Sequence, residues 1–316
     1  MPRPLRFVPA NSLVEVTTRT VQGRLLLRPS PELTDIIPGV IGKAQDIYKM
    51  SIHAFVVLST HAHFLCSPSS AALLASFVQF VNSNIAKEVG RLHKWPGRLW
   101  SRRYRCIPTV DEEAAPARLR YLLGHGTKEG LVSSPGSWPG PNCIAALTHG
   151  EILRGTWFDR SAEYIARQRG KQVMPSQFAT SYEVTLTPLP CLAHLNADQR
   201  HAHLRRVVGE IEAEAEAANR AKGRAPMGVT AILDQNPHHL PASTDGSPAP
   251  FVHAHDKQKA TEFRSAYRAF VADFRAAVAS LIAQAKEITK LFPDWAFPPA
   301  LPFTTPMPPA SAAAPA

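Results

Sequence analysis

The stretch Ala54-Phe55-Val56-Val57-Leu58-Ser59-Thr60-His61-Ala62-His63-Phe64-Leu65-Cys66-Ser67-Pro68 reads as strand, tight turn and strand. Side chains at i and i+2 of a strand share a face, so His61 and His63 project together, about 7 Å apart, and can converge on one ion. Such a pair is half of a metal site. Two further His-Ala-His triplets make the triplet itself weak evidence. His201 and His203 fall in a predicted helix, where a spacing of two sends them to different sides, as in a surface pair. His253 and His255 precede a long helix; a metal or a helix cap would explain them, and a structural role is favoured. Only His61 and His63 sit on a buried-looking strand, where satisfied core histidines are the competing reading.

Outward from the hairpin, residues 12–20 read as a strand, followed by a turn at Gln22-Gly23 and the apolar run Leu25 to Leu27. Pro31-Glu32 opens a helical stretch to about Tyr48, which Pro38-Gly39 is expected to break or restart. After the hairpin, Ser69 or Ser70 caps an amphipathic helix whose Leu73, Leu74, Phe77, Phe80, Val81 and Ile85 recur at helical spacing. Residues 98–107 read as a strand showing Arg98, Trp100, Arg102 and Tyr104 on one face. A helix runs from Asp111 to about Leu123, with acids in its first turn and Gly124 and Gly126 at its end. The order strand, helix, strand, strand, helix, strand, helix predicts an α+β fold, a ferredoxin-like or RRM-like antiparallel sheet with helices on one face. That fold hosts many functions, so the function has to be argued from the site.

The chain has 316 residues, 45% of them hydrophobic, enough for a sizeable core. No run approaches the roughly 18 apolar residues of a membrane span, and the N-terminus lacks the apolar core of a secretory signal. A cytoplasmic protein with no membrane association is the expectation. Cys66, Cys106, Cys143 and Cys191 show no Cys-x-x-Cys spacing, so reduced thiols are expected rather than a disulfide framework or a cysteine zinc site. The net charge is +10; 17 Lys and Arg against 9 Asp and Glu fall in residues 1–145, and 18 against 16 in the remainder. The excess cations therefore lie with the histidine pair, and a concentrated positive field favours a polyanion such as nucleic acid. Arginines interleaved with Trp100 and Tyr104 suit a single strand, with guanidiniums on phosphates and rings on bases; an edge strand with a solvated charged face is the rival reading.

Beyond the Pro135-Gly136-Ser137-Trp138-Pro139 loop the composition shifts. A loop-rich connector with a helix near 160–169 leads to a charged helix over about 196–220 with a narrow stripe of Leu204, Val207, Val208 and Ile211. A Pro, His and Ser-rich loop covers roughly 224–255. A long helix follows, with Phe263, Tyr267, Phe270, Phe274, Val278, Leu281 and Ile282 on one face and a stop at Phe292-Pro293. The division expected is 1–145 as the site-bearing domain, 146–300 as a mostly helical extension, and 301–316 as a disordered Pro/Ala-rich tail.

Tyr121 and His125 lie four residues apart, on one face of the helix near 111–125. Together they pair a candidate nucleophile with a candidate third metal ligand. The ordered set His61-Ala62-His63, Trp100, Tyr121, the Lys128 to Val132 segment and Ser137-Trp138-Pro139 resembles the single-tyrosine HUH transposases, most closely the REP-associated tyrosine transposases. The resemblance spans about residues 5–145. It implies that His61 and His63 bind a divalent metal, Mg²⁺ or Mn²⁺, completed by His125, and that Tyr121 attacks a phosphodiester in single-stranded or hairpin DNA to form a 5′-phosphotyrosine. Arg19, Arg98, Arg102, Arg103, Arg105 and Lys128 are the candidates for holding the DNA backbone, with Trp100 and Tyr104 as stacking platforms.

Three positions depart from that family's pattern: Ser59-Thr60 before the first histidine, the small Ala62, and His125-Gly126 where Asn-Pro is usual. Three imidazoles favour softer ions than a mixed histidine and amide set. The second half, notably Asn236-Pro237-His238-His239 and Ser247-Pro248-Ala249-Pro250, is similar to the extension of longer family members, and its amphipathic helices are candidates for packing on the first domain, contacting hairpin DNA or pairing two chains as a homodimer. The rival function is a domesticated DNA-binding protein that keeps the fold and does not cut; a structural metal site in a nucleic-acid-binding module is a third.

Overall fold

The structure is a computed structural model and describes residues 5–242 and 250–289. The stop at Phe292-Pro293 and the 301–316 tail lie outside the described residues. Strands β1 (Leu13–Arg19), β2 (Ser51–Leu58), β3 (His61–Ser67) and β4 (Arg105–Thr109) form an antiparallel sheet in the order β2-β3-β1-β4. With α1 (Pro31–Tyr48) after β1 and α2 (Ala71–His93) after β3, this is the ferredoxin-like arrangement expected. Ser30 and Ser70 start the two helices, each side chain accepting from the backbone N–H three residues on. Lys49 and Lys94 end them in the left-handed region.

Strand register assigns the faces. Val16, Phe64 and Phe55 lie in one row, and Phe64 packs on Phe77 of α2, so that face carries the apolar layer under α1 and α2. Phe55 and Phe77 are almost wholly buried, each worth roughly 1.5–3 kcal/mol of transfer free energy. The opposite face carries Glu15, Thr17, Arg19, His61 and His63, and receives α3 (Ala114–Leu123) and α4 (His125–Lys128).

Two local expectations change. Pro38 does not interrupt α1, which is one helix of 18 residues. Pro38 and Gly39 face a second, two-stranded sheet of β5 (Leu153–Phe158) and β6 (Ala179–Val184), and this packing on both sides of α1 outweighs the backbone hydrogen bond that proline removes. Residues 98–104 are not strand. They are tied to the end of β1 by Val21 N–H to Leu99 O and Ser101 N–H to Arg19 O and then bend, so the ladder of β4 starts only at Arg105.

The extension contains α5 (Ile144–His149), α6 (Arg160–Gln168), α7 (Ala197–Ala221), α8 (Val229–Leu233) and α9 (Lys257–Thr289). Segments of it, together with the loop at Pro141, cover both sheet edges, which would otherwise present unpaired backbone groups. At β2, Val57 N–H donates to Pro141 O and Thr187 N–H to Ile52 O. At β4, Val110 N–H donates to His253 O and His253 N–H to Pro108 O. Two compact units divide the chain, Met1–Phe263 and Arg264–Ala316. In the second, Phe274, Leu281 and Ile282 of the apolar stripe are exposed. No helix among the described residues is long and apolar enough to cross a membrane.

Candidate metal centre and tyrosine site

β3 delivers His61 and His63 to one face, with ring centroids 5.0 Å apart. Gly124 separates α3 from α4, and His125 is the first residue of α4, buried over the pair at centroid distances of 4.8 Å from His61 and 4.7 Å from His63. Gly124 also admits Ile211 of α7, whose Cγ2 would lie 3.2 Å from any Cβ placed there. Arg120 of α3 is paired with Glu210 and Glu214. The extension thus braces the helix that carries Tyr121 and the turn that presents His125.

The three histidines are the one group of three His, Cys, Asp or Glu side chains among the described residues whose ligand atoms gather, all within 4.8 Å of one another. His61 Nε2 and His125 Nε2 are 3.0 Å apart, the spacing expected of two ligands about 2.1 Å from one ion at a right angle. His61 Nδ1 faces Thr60 Oγ1 at 2.7 Å and His63 Nδ1 faces Glu15 Oε1 at 2.8 Å, which leaves each Nε2 as the ligand atom. His125 Nδ1 is buried with no hydrogen-bond partner. Burial, then the neighbouring His63 and Lys128 charges, hold His125 at a pKa of about 3; burial with His63, His125 and Arg19 puts His61 well below the ordinary histidine value. His61 and His125 therefore keep free lone pairs at neutral pH. Three imidazole nitrogens suit a divalent transition metal, Mn²⁺ included, better than Mg²⁺, which prefers oxygen.

Tyr121 is half-buried beside the histidines of its own chain, its ring centroid 5.1 Å from His125 and 6.1 Å from His63. Arg118 Cζ and Lys128 Nζ each lie 4.6 Å from that centroid. Burial, with Glu15 and Glu129, nevertheless raises its phenol pKa, and the Arg118 charge does not offset them.

The chain is similar to a REP-associated tyrosine transposase. That structure, solved bound to a REP hairpin, shares 14% identity with a TM-score of 0.38, over 46% of this chain and 85% of the other. A protein of Deinococcus radiodurans R1 named as a candidate transposase shares 17% identity with a TM-score of 0.28, over 38% of this chain and 95% of the other. No family model and no curated protein matches.

The candidate DNA contacts divide by position. Arg19 is exposed and paired across the sheet with His61, and Arg105 is exposed in the row that runs through Thr17 to His63. Lys128 is exposed above Tyr121. Arg98, Arg102 and Arg103 are exposed on the bent segment beside Arg19. Trp100 and Tyr104 do not form the alternating face expected of a strand. The Trp100 indole donates to Asn82 O, and the Arg6 guanidinium lies 3.5 Å from the Tyr104 ring centroid. Of the other triplets, His203 accepts from Arg206 and His253 is buried against Glu15. Glu15, Thr17, Arg118 and His253 are the site neighbours that sequence reasoning missed; a lone carboxylate inside the apolar strand 13–16 was the available signal for Glu15.

Proposed function

We propose that the chain is a transposase of the single-tyrosine HUH type, cutting and rejoining single-stranded DNA. The observation that carries this reading is the juxtaposition of a half-buried Tyr121 with three imidazoles whose free nitrogens gather at one point. In this reading His61, His63 and His125 hold a divalent metal, Mg²⁺ or Mn²⁺, which when bound would polarise the scissile phosphate and offset its charge. Tyr121 Oη attacks phosphorus, the bond to the 3′ oxygen breaks, and the products are a 5′-phosphotyrosine and a 3′-OH that has taken up the proton lost by the phenol. One ester replaces another, so bond energy is kept for rejoining.

The protein's own cations serve the anionic backbone. Arg19, Arg105 and Lys128 surround the histidine face, and Arg98, Arg102 and Arg103 extend the positive surface beside it, so a strand crossing the sheet toward Tyr121 would meet a guanidinium or ammonium at each step. Trp100 and Tyr104 are proposed to border the bases by their free edges. The substrate implied by the sequence resemblance is a hairpin or REP-like end.

Incubation with single-stranded hairpin oligonucleotides in Mn²⁺ or Mg²⁺ tests the reading. A protein–DNA adduct stable to denaturing electrophoresis is expected, absent in Tyr121→Phe and strongly reduced in His63→Ala. Binding without an adduct in either metal would favour a non-cutting DNA-binding protein with the same fold.

A further inference from the structure

Glu15 is the one carboxylate on the histidine face of β1, only 6% exposed, and the chemistry above gives it no task. Its two oxygens divide between two imidazoles: Oε1 lies 2.8 Å from His63 Nδ1 and Oε2 lies 2.7 Å from His253 Nε2. Arg118 stands 3.7 Å from Oε2. An ionised carboxylate only accepts, so both imidazoles donate to it, His63 from Nδ1 and His253 from Nε2. At His63 this fixes the ring orientation and keeps the lone pair on Nε2, the atom facing the other two histidines. Thr17 Oγ1, 3.2 Å from the same Nδ1, supports that orientation.

His253 is itself held by its backbone. It forms a parallel bridge with Thr109, donating to Pro108 O at 2.8 Å and accepting from Val110 N–H at 3.0 Å. Two residues on, His255 N–H and Asp256 N–H both donate to Asp111 Oδ2. Val252 and Phe263 are buried on either side, in a cluster with Phe7 and Val110. A segment more than 100 residues beyond α4 is therefore built rigidly onto the edge of the sheet, and its buried polar side chain points at Glu15.

We propose that Glu15 and His253 are positioning residues of the metal centre: His253 holds the Glu15 carboxylate, and Glu15 holds His63 with Nε2 free to ligate. The proposal rests on reading His61, His63 and His125 as metal ligands. It makes residues 252–256 of the extension a working part of the site.

Mn²⁺ affinity of the full chain, measured by calorimetry or by electron paramagnetic resonance of the free ion, tests both levels separately. His63→Ala examines the metal reading; a parent that binds no Mn²⁺, or an unchanged affinity in His63→Ala, overturns that reading and the proposal with it. Given a parent that binds through His63, His253→Leu should weaken affinity about 10–100-fold. His253→Gln, whose amide N–H takes the place of imidazole Nε2–H, should restore affinity close to the parent value. In a Glu15→Ala background His253→Leu should add nothing, because the chain of hydrogen bonds is already broken. Parent affinity in His253→Leu, or equal weakness in the Leu and Gln variants, overturns the proposal while the metal reading stands. Should His253→Leu fail to fold, Glu15→Ala, which removes the acceptor, decides: affinity lower by about tenfold or more supports the relay, and unchanged affinity overturns it.

Discussion

The imidazole of His125 illustrates how burial and chemistry pull on one side chain. Its pKa of about 3 lies below the ordinary histidine value because desolvation and the charges of His63 and Lys128 penalise the protonated form. His61 is shifted in the same direction for the same reasons. A group whose folded pKa is depressed binds fewer protons folded than unfolded between the two values, so its stabilisation is complete above about pH 6.5 and is lost as pH falls toward 3. With metal removed by chelator, the thermal midpoint should fall as pH is lowered from 7 to 4. His125→Gln should flatten that slope, and an unchanged slope would show that His125 does not carry it. Tyr121 is shifted the other way, its phenol made harder to ionise by burial, Glu15 and Glu129. Adduct formation should therefore still be rising with pH at pH 8, to be measured as the initial rate between pH 6.5 and 9; a plateau beginning near neutrality would mean that another group sets the rate.

Among the elements, α1 is the one whose sequence misleads. Pro38-Gly39 reads as a break, yet the backbone of β5 lies so close to this point that a Cβ on Gly39 would stand 2.2 Å from Thr156 C, and one on Gly155 would stand 2.1 Å from Asp35 O. The glycines are there for close approach between helix and strand, and neither has a positive φ to explain it otherwise. Gly155→Ala should cost at least the 1–3 kcal/mol typical of overpacking, read as a lower urea midpoint with little change in the slope of the transition. A midpoint equal to the parent's would mean that β5 separates from α1 without penalty. The segment 98–104 errs in the opposite direction. Its alternation of Arg and aromatic residues fits a strand, but Leu99 turns inward to 3% exposure and Trp100 bonds to α2, so tertiary contacts replace the ladder.

Across the molecule as a whole, residues beyond 145 pack against the first 145 at several places. The edge of β2 is paired at Ile52 by Thr187, the edge of β4 by His253, α1 is covered by β5 and β6, and the Tyr121 helix is braced by α7. A chain ending at residue 145 would expose the Ile52 end of β2, the edge of β4 and the outer side of α1, and it should aggregate or lack a cooperative thermal transition. A chain ending at Phe263 keeps the first compact unit and should melt cooperatively near the parent midpoint. Calorimetry on the two truncations checks the pair; a cooperative transition in the shorter chain would show that the extension is dispensable for folding.

The order of strands and helices, the caps at Ser30 and Ser70, and the pairing of His61 with His63 all follow from short-range pattern, because strand alternation and helix periodicity act over a few residues. The i to i+4 relation of Tyr121 and His125 is equally local, and it survives the change of helix at Gly124. What only the folded chain decided involves residues far apart. Glu15 meets His253 across 238 positions, α7 closes on Gly124, and β5 presses on Gly39. No sequence periodicity encodes such meetings, since they depend on where whole elements are carried by the packing of the core and on which buried polar groups must then find partners.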